Sequence, residues 1–308
     1  MKIIYVNAPI YDFTTATLIE GLKNLGHTLL CSESSNYGVG VADEVLIAQA
    51  ASADLVVLGS NLGVDVGLFA RLRNDRKVYV DGSDQASVVL PPSVEVKAIF
   101  KRELNRAVTL EPDAPVFPLP FAAEDRYFPP ATPRKDIALS FLANMNTNPL
   151  RYSIHQRIGA LRHPALVLSG STGESSYNGS NGIPLSTPRY REILLRSRIA
   201  VNVPGAGYDC ARYWEILAAG AMLMTWEPDI VIPEAFSDGV DCVTFCSVAE
   251  FDQKARYYLE RPDLVYDIAR RGTERLLKHH TTSARAQYFL QTAMSVFEMN
   301  RAREPVTM

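Results

Sequence analysis

Residues 197–225 read SRIAVNVPGAGYDCARYWEILAAGAMLMT. The apolar, β-branched run at 199–203 has the length and composition of a buried strand, and Gly205 and Gly207 open a turn after it. From 210 to 219 apolar residues recur at helical spacing as far as Gly220, and 221–225 returns to a strand. A strand, a crossover helix and a second strand in so short a stretch form a parallel βαβ unit, which sets the fold class as α/β.

The same cadence extends in both directions. Upstream, strands are expected at 137–142 and 165–168 around a helix at 150–160, followed by a Gly/Ser-rich loop at 169–182 and a helix at 188–197. Downstream, helices are expected at 251–259, 263–278 and 283–301. The N-terminal half repeats the pattern, with strands at 2–6, 28–31, 54–58 and 77–80, a strand or short helix at 96–100, and helices at 14–25, 41–51 and 66–73. Between the halves, residues 111–134 are rich in proline, which neither a helix interior nor a central strand accommodates. The expected architecture is two Rossmann-like doubly wound domains facing a cleft, over residues 1–125 and 126–290. A C-terminal helix and tail at 291–308 is expected to pack back toward the first domain.

Across 308 residues, 31 Lys and Arg face 34 Asp and Glu, a formal charge of −3, and 47% of residues are apolar. That balance suits a globular chain with cores for about two domains, and it argues against a protein whose main task is to grip a phosphate backbone. No apolar run approaches the roughly 18 residues of a membrane span, and MKIIYVNAPIYDF reads as a first strand and not as a signal peptide. Cys31, Cys210, Cys242 and Cys246 lack CxxC spacing, which suits reduced thiols and a cytoplasmic location.

Ligands of open α/β sheets bind beyond the carboxyl ends of the strands, so the candidate residues lie in the loops that follow them. Asn202 closes one strand, Gly205 and Gly207 let a diphosphate approach the backbone, and the helix start offers N–H groups with a partial positive charge. Arg212 and Glu215, three residues apart, share a helix face. A guanidinium forks onto phosphate oxygens, and a carboxylate accepts from a ribose diol. A plainer reading makes Asp209 an N-cap and Arg212–Glu215 a solvated intrahelical pair. Ser169 and Gly170 could meet the base or phosphates, or form only a polar loop.

In the first domain, Asp12 and Asp81 follow strands where an acceptor hydroxyl would need a carboxylate base. Asp81 is the preferred candidate, against a plain turn role for DGSD at 81–84. Lys101 and Arg102 could neutralise an acceptor phosphate or the leaving diphosphate. His280 reads either as a hydrogen-bonding residue of the cleft or as a charge at a helix C-terminus. No histidine has partners at metal-ligand spacing, so no metal site is expected.

The run ARYWEILAAGAMLMT, with Pro233, Phe236, Asp238 and Gly239 after it, resembles the donor-binding half of GT-B glycosyltransferases. Among these it is most similar to the spore-maturation-type (CgeB-like) enzymes and to group 1 glycosyl transferases, through the pattern R-x-x-E-x-x-A-x-G-A. HHTTSAR resembles that group's H-T-x-x-x-R element, which falls on His280, Thr281 and Arg285. The likeness covers residues 195–290; in the first half it rests on layout and on the loops DGSD and FKRE.

The resemblance implies a metal-independent enzyme with no required cofactor. A nucleotide-sugar donor, UDP- or GDP-linked, would be held by the second domain, with Glu215 on ribose or sugar hydroxyls and Arg212 near the diphosphate. The sugar would pass to a hydroxyl acceptor on a glycan, a protein, a small molecule or a modified DNA base. Gly207 stands where many retaining members carry an acid, so retention and inversion both stay open. Two alternatives share the fold: a sugar-nucleotide epimerase or hydrolase, and a non-catalytic nucleotide-sugar-binding module.

Overall fold

The computed structural model describes residues 1–9, 12–33, 40–59, 63–88, 90, 94–107, 114–131, 133–169 and 187–303, without the side chains of residues 169 and 303. The chain forms two compact units. The first comprises Met1–Ala122, Ile230–Pro233 and Thr281–Met308, and the second Ala123–Asp229 and Glu234–His280.

In the first unit, β1 (Lys2–Val6), β2 (Thr28–Cys31), β3 (Leu55–Gly59), β4 (Lys77–Asp81), β5 (Ala98–Lys101) and β6 (Val116–Pro118) make one parallel sheet in the order β2-β1-β3-β4-β5-β6. Its helices include α1 (Phe13–Asn24), α2 (Asp43–Ala50) and α3 (Val66–Arg71). Successive strand residues point to opposite faces, so a run that is apolar throughout must be covered on both sides. Ile3 and Tyr5 of β1 accordingly meet Leu18 and Leu22 of α1, while Ile4 and Val6 join Leu46 of α2 and Leu68 and Phe69 of α3. Strand β6 lies inside the proline-rich segment, from which the prolines exclude a central strand but not an edge one. It sits at the sheet edge, and there Pro118 costs the ladder little.

The second unit carries β7 (Ile137–Leu142), α4 (Pro149–Ala160), β8 (Leu166–Ser169), α5 (Thr187–Arg196), β9 (Ser197–Asn202), α6 (Ala211–Ala218), β10 (Met222–Trp226), β11 (Val243–Phe245), α7 (Val248–Leu259) and α8 (Pro262–His279). Its sheet is parallel, in the order β11-β10-β9-β7-β8. Phe141, Val201, Met224 and Phe245 pack on Ile154 and Ile158 of α4, Phe251 of α7 and Ile268 of α8. Gly220, at φ +69°, ends α6 in the left-handed conformation that a residue without Cβ adopts freely, and β10 follows at once.

The chain returns to the first unit at Thr281, whose Oγ1 accepts the Ala284 amide at 3.1 Å to open α9 (Thr282–Arg303). The whole of this helix joins the first unit, ahead of the position near 291 read from the sequence. Phe289 and Ala293 of α9 enter the core around Ile3, Tyr5 and Leu22, with Phe289 stacked 4.5 Å from Phe100. Helices α1 and α9 touch at Gly21, where a Cβ would lie 2.0 Å from the Thr282 carbonyl oxygen and 2.8 Å from the Ala286 Cβ. Gly21→Ala is expected to force the helices apart and cost at least about 1–3 kcal/mol, seen as a lower denaturation midpoint, whereas Gly159→Ala, with open space around it, is expected to be neutral or stabilising.

Candidate functional site

In the second sheet β7 and β9 are neighbours whose onward connections diverge, β7 leading to β8 on one side and β9 to β10 on the other. A crevice opens at the carboxyl ends of such a pair. It is bounded here by residues 143–148 after β7 and 203–210 after β9.

Arg151 fastens these two loops. It stands third in α4, after the cap Asn148 and Pro149, where a cation opposes the helix dipole. Its hydrogen bonds offset that cost: Nη1 donates to the Asn144 carbonyl at 2.9 Å and to Thr147 Oγ1 at 2.5 Å, Nε to the Pro204 carbonyl at 2.9 Å, and Nη2 to the Val203 carbonyl at 3.2 Å. Burial, and then the neighbouring Arg212 guanidinium, lower its pKa to about 10. A Cβ at Gly205 would lie 2.9 Å from Arg151 Nη2, so a glycine is needed there by the guanidinium itself. The Gly205 amide donates to the Gly207 carbonyl at 3.0 Å, which keeps the loop compact.

Arg212 reaches across the same strand end. Its Nη1 donates to Asn202 Oδ1 at 3.4 Å and its guanidinium lies 5.9 Å from the centre of the Phe141 ring, while its buried Nε has no hydrogen-bond partner among the described residues. Asn202 is oriented by its amide, which donates to Thr225 Oγ1 at 3.1 Å. Helix α6 begins at Cys210 without a capping side chain, so its first-turn N–H groups add positive potential to the two guanidiniums.

One turn on, Glu215 is 6% exposed. Its carboxylate accepts a short hydrogen bond from the Tyr190 hydroxyl and another from Tyr127. Burial pushes its pKa up, against the pull of the two hydroxyls and of Arg212. Nearby Glu124 is also pushed up by burial and is paired with Arg126 at 2.9 Å. Glu215 is thus a fixed acceptor beside two guanidiniums, and the solvated Arg212–Glu215 pair of the plainer reading does not describe it.

Several expected residues have other duties. Asp209 does not cap α6: its Oδ1 accepts from the Trp214 indole at 2.8 Å, which anchors the helix side chain to the loop. His280 is fully buried at the end of α8, with Nε2 3.1 Å from the Glu234 carbonyl and its ring against Trp214 and Phe236 at 5.2 and 4.9 Å. Asp12 caps α1, accepting from the amides of Thr14 and Thr15 and from Thr15 Oγ1.

Asp81 is 0% exposed and paired with Lys101 at 3.1 Å, and it accepts the Ser83 amide at 3.0 Å. Arg102 locks onto Asp84, Glu103 and the Gly82 carbonyl, so the loops DGSD and FKRE form one charge network at the ends of β4 and β5. Asp12 and Asp81 thus hold the capping and turn duties of the plainer reading, Asp81 with an ion pair in addition. Gly170 and the Ser169 side chain lie outside the described residues. Arg151, Tyr127 and Tyr190 were not singled out from the sequence. Only Arg151 left a signal, a cation in the first turn after the N-cap and proline of NPLR.

Residues 151–291 match a protein family described as glycosyl transferase-like. No curated protein matches the chain. Among solved structures, a glycosyltransferase from Rickettsia africae superposes with a TM-score of 0.67 at 11% identity, covering 96% of this chain and 98% of that one. HepE of Anabaena, solved in complex with UDP and glucose, gives 0.64 at 9% identity over 96% and 100%. Sucrose-phosphate synthase from Thermosynechococcus elongatus gives 0.64 at 14% over 97% and 99%. Residues 151–291 thus resemble glycosyl transferases in sequence, and the chain has the GT-B fold implied by the sequence resemblance.

Because the folded-state pKa of Glu215 lies above its unfolded value, the folded form holds the extra proton and the associated stability is lost as pH rises through the raised pKa. Denaturant titrations from about pH 4 to about pH 8 are expected to show wild type losing stability relative to Glu215→Gln as pH rises across that interval.

Proposed function

We propose that this chain is a metal-independent glycosyltransferase that moves a sugar from a nucleoside-diphosphate sugar to a hydroxyl acceptor. The reading is carried by Arg212, whose buried Nε lacks a partner among the described residues at the carboxyl end of β9, beside Arg151 and the start of α6, where Cys210 makes no side-chain cap bond. Positive groups fixed in advance around one point suit a diphosphate, and they suit it more as charge accumulates on it. The glycosyl transferase-like match over 151–291 and the UDP and UDP-glucose complexes of the Anabaena neighbour support the same reading.

In this reaction the bond from the anomeric carbon to the diphosphate oxygen breaks, and its electron pair leaves with the diphosphate. The acceptor oxygen bonds to the anomeric carbon and gives up its proton. Arg212 stabilises the leaving charge directly, while Arg151 holds the loop through which the diphosphate approaches. Asn202 orients Arg212. Glu215, held by Tyr190 and Tyr127, accepts from ribose or sugar hydroxyls in its ionised form. Gly207 lies in the loop against Gly205 and leaves the sugar side of the site without the acid many retaining enzymes use.

UDP is the preferred nucleotide, with the Anabaena complexes as its support. The pattern R-x-x-E-x-x-A-x-G-A supports kinship with the spore-maturation-type group. A cytoplasmic location fits four free cysteines, and among the described residues no helix is long and apolar enough to cross a membrane.

Arg212→Ala is expected to lower kcat by about 10²–10³ with the fold intact by circular dichroism. Wild-type kinetics in that variant would refute the diphosphate assignment. Glu215→Gln is expected chiefly to raise the donor KM. In wild type that KM should climb as pH falls through the raised Glu215 pKa, whereas the variant should lack this limb. Turnover is expected to survive EDTA.

A further inference from the structure

The second unit contains a cavity of about 500 Å³ at the opposite edge of its sheet, where the strands begin. Arg198, which lines it, is the second residue of β9, four residues or about 13 Å along the strand from Asn202. The walls are apolar: Pro129 and Pro133 from the approach to β7, and Pro262, Val265, Tyr266 and Ala269 from one face of α8 at the spacing i, i+3, i+4, i+7. The volume falls within the range of small-molecule pockets.

Two cations meet these apolar walls. Lys135 Nζ donates to the Ala219 carbonyl at 2.7 Å, and Arg198 Nε donates to the Lys135 backbone carbonyl at 3.0 Å, so both cationic residues line the same cavity. Among the described residues neither side chain forms an ion pair, and no residue lining the cavity is acidic. Burying an ammonium without a counter-ion is unfavourable, and burial alone lowers the Lys135 pKa to about 8. A partner that brings one negative charge on an apolar body would satisfy both the cation and the walls.

We propose that this cavity is a second ligand site, distinct from the diphosphate site, which takes a hydrophobic monoanion with its carboxylate on Lys135 and Arg198 and its chain against Pro262, Val265 and Tyr266. The proposal rests on residues that take no part in the proposed sugar transfer, so either can fail alone. An anion at Lys135 favours the ammonium, so binding near pH 8 must draw a proton from solution, while at about pH 6 the lysine is already charged and takes up none.

The test uses the full chain and three probes of equal length: octanoate, octanol and octylammonium. Octanoate is expected to raise the melting temperature and to bind at least about tenfold more tightly than the other two by calorimetry. Lys135→Met is expected to reduce octanoate to the level of octanol. Should that variant fail to fold, wild-type calorimetry in two buffers of different ionisation heat decides, with proton uptake expected near pH 8 and absent near pH 6. Equal binding of octanol and octanoate, retention of the preference in Lys135→Met, or no proton uptake near pH 8 would each overturn the proposal.

Discussion

One guanidinium holds together the end of the second sheet where the candidate site lies. Arg151 donates to backbone carbonyls on both sides of the point where the connections of β7 and β9 part. Two loops leaving a sheet in opposite directions have no ladder to bind them to each other, and each interior carbonyl left without a donor costs about 1–3 kcal/mol. The side chain supplies the missing donors with the fixed fork that a lysine lacks. Its charge has a second consequence, because the loop it fastens becomes electropositive before any ligand arrives.

The rest of the site follows from that potential. Arg212 shares the strand end with Arg151, and the two like charges disfavour each other until an anion intervenes. Glu215 feels the Arg212 charge, yet it is turned into two tyrosine hydroxyls and held as a hydrogen-bond acceptor. The arrangement separates one task for cations from another for the carboxylate, although both residues sit on the same helical turn. In the first unit the charges do the reverse. Asp81, Lys101, Arg102 and Asp84 neutralise one another and tie β4 to β5, which makes that strand end a structural joint.

Much of the fold was legible because strand and helix periods leave a direct trace in the order of apolar residues. The βαβ unit at 197–225 appears in the structure as β9, α6 and β10, with Gly220 as the terminator. Edge strand β6 was hidden by its prolines, which are excluded from the interior of a sheet and tolerated at its rim. Within the candidate site, Asn202 was legible as the end of a strand, and Arg212 and Glu215 as neighbours on one face of the helix that follows. For Asp209 and His280 the sequence could give a place near a helix end but could not show that Trp214, in the helix core, uses one as a hydrogen-bond acceptor and the other as a packing surface.

The order of residues by itself determined the alternation of strands and helices, the parallel sheets and the strand end where charged groups collect, since all of these depend on neighbours a few positions apart. Tertiary structure alone decided which charges are spent and which are kept. Asp81 meets Lys101 twenty positions on, Tyr190 meets Glu215 twenty-five on, and Lys135 meets the end of α6 without an acid. Such pairings depend on where the sheet brings distant loops together and on how much water that packing removes, and no local pattern encodes either.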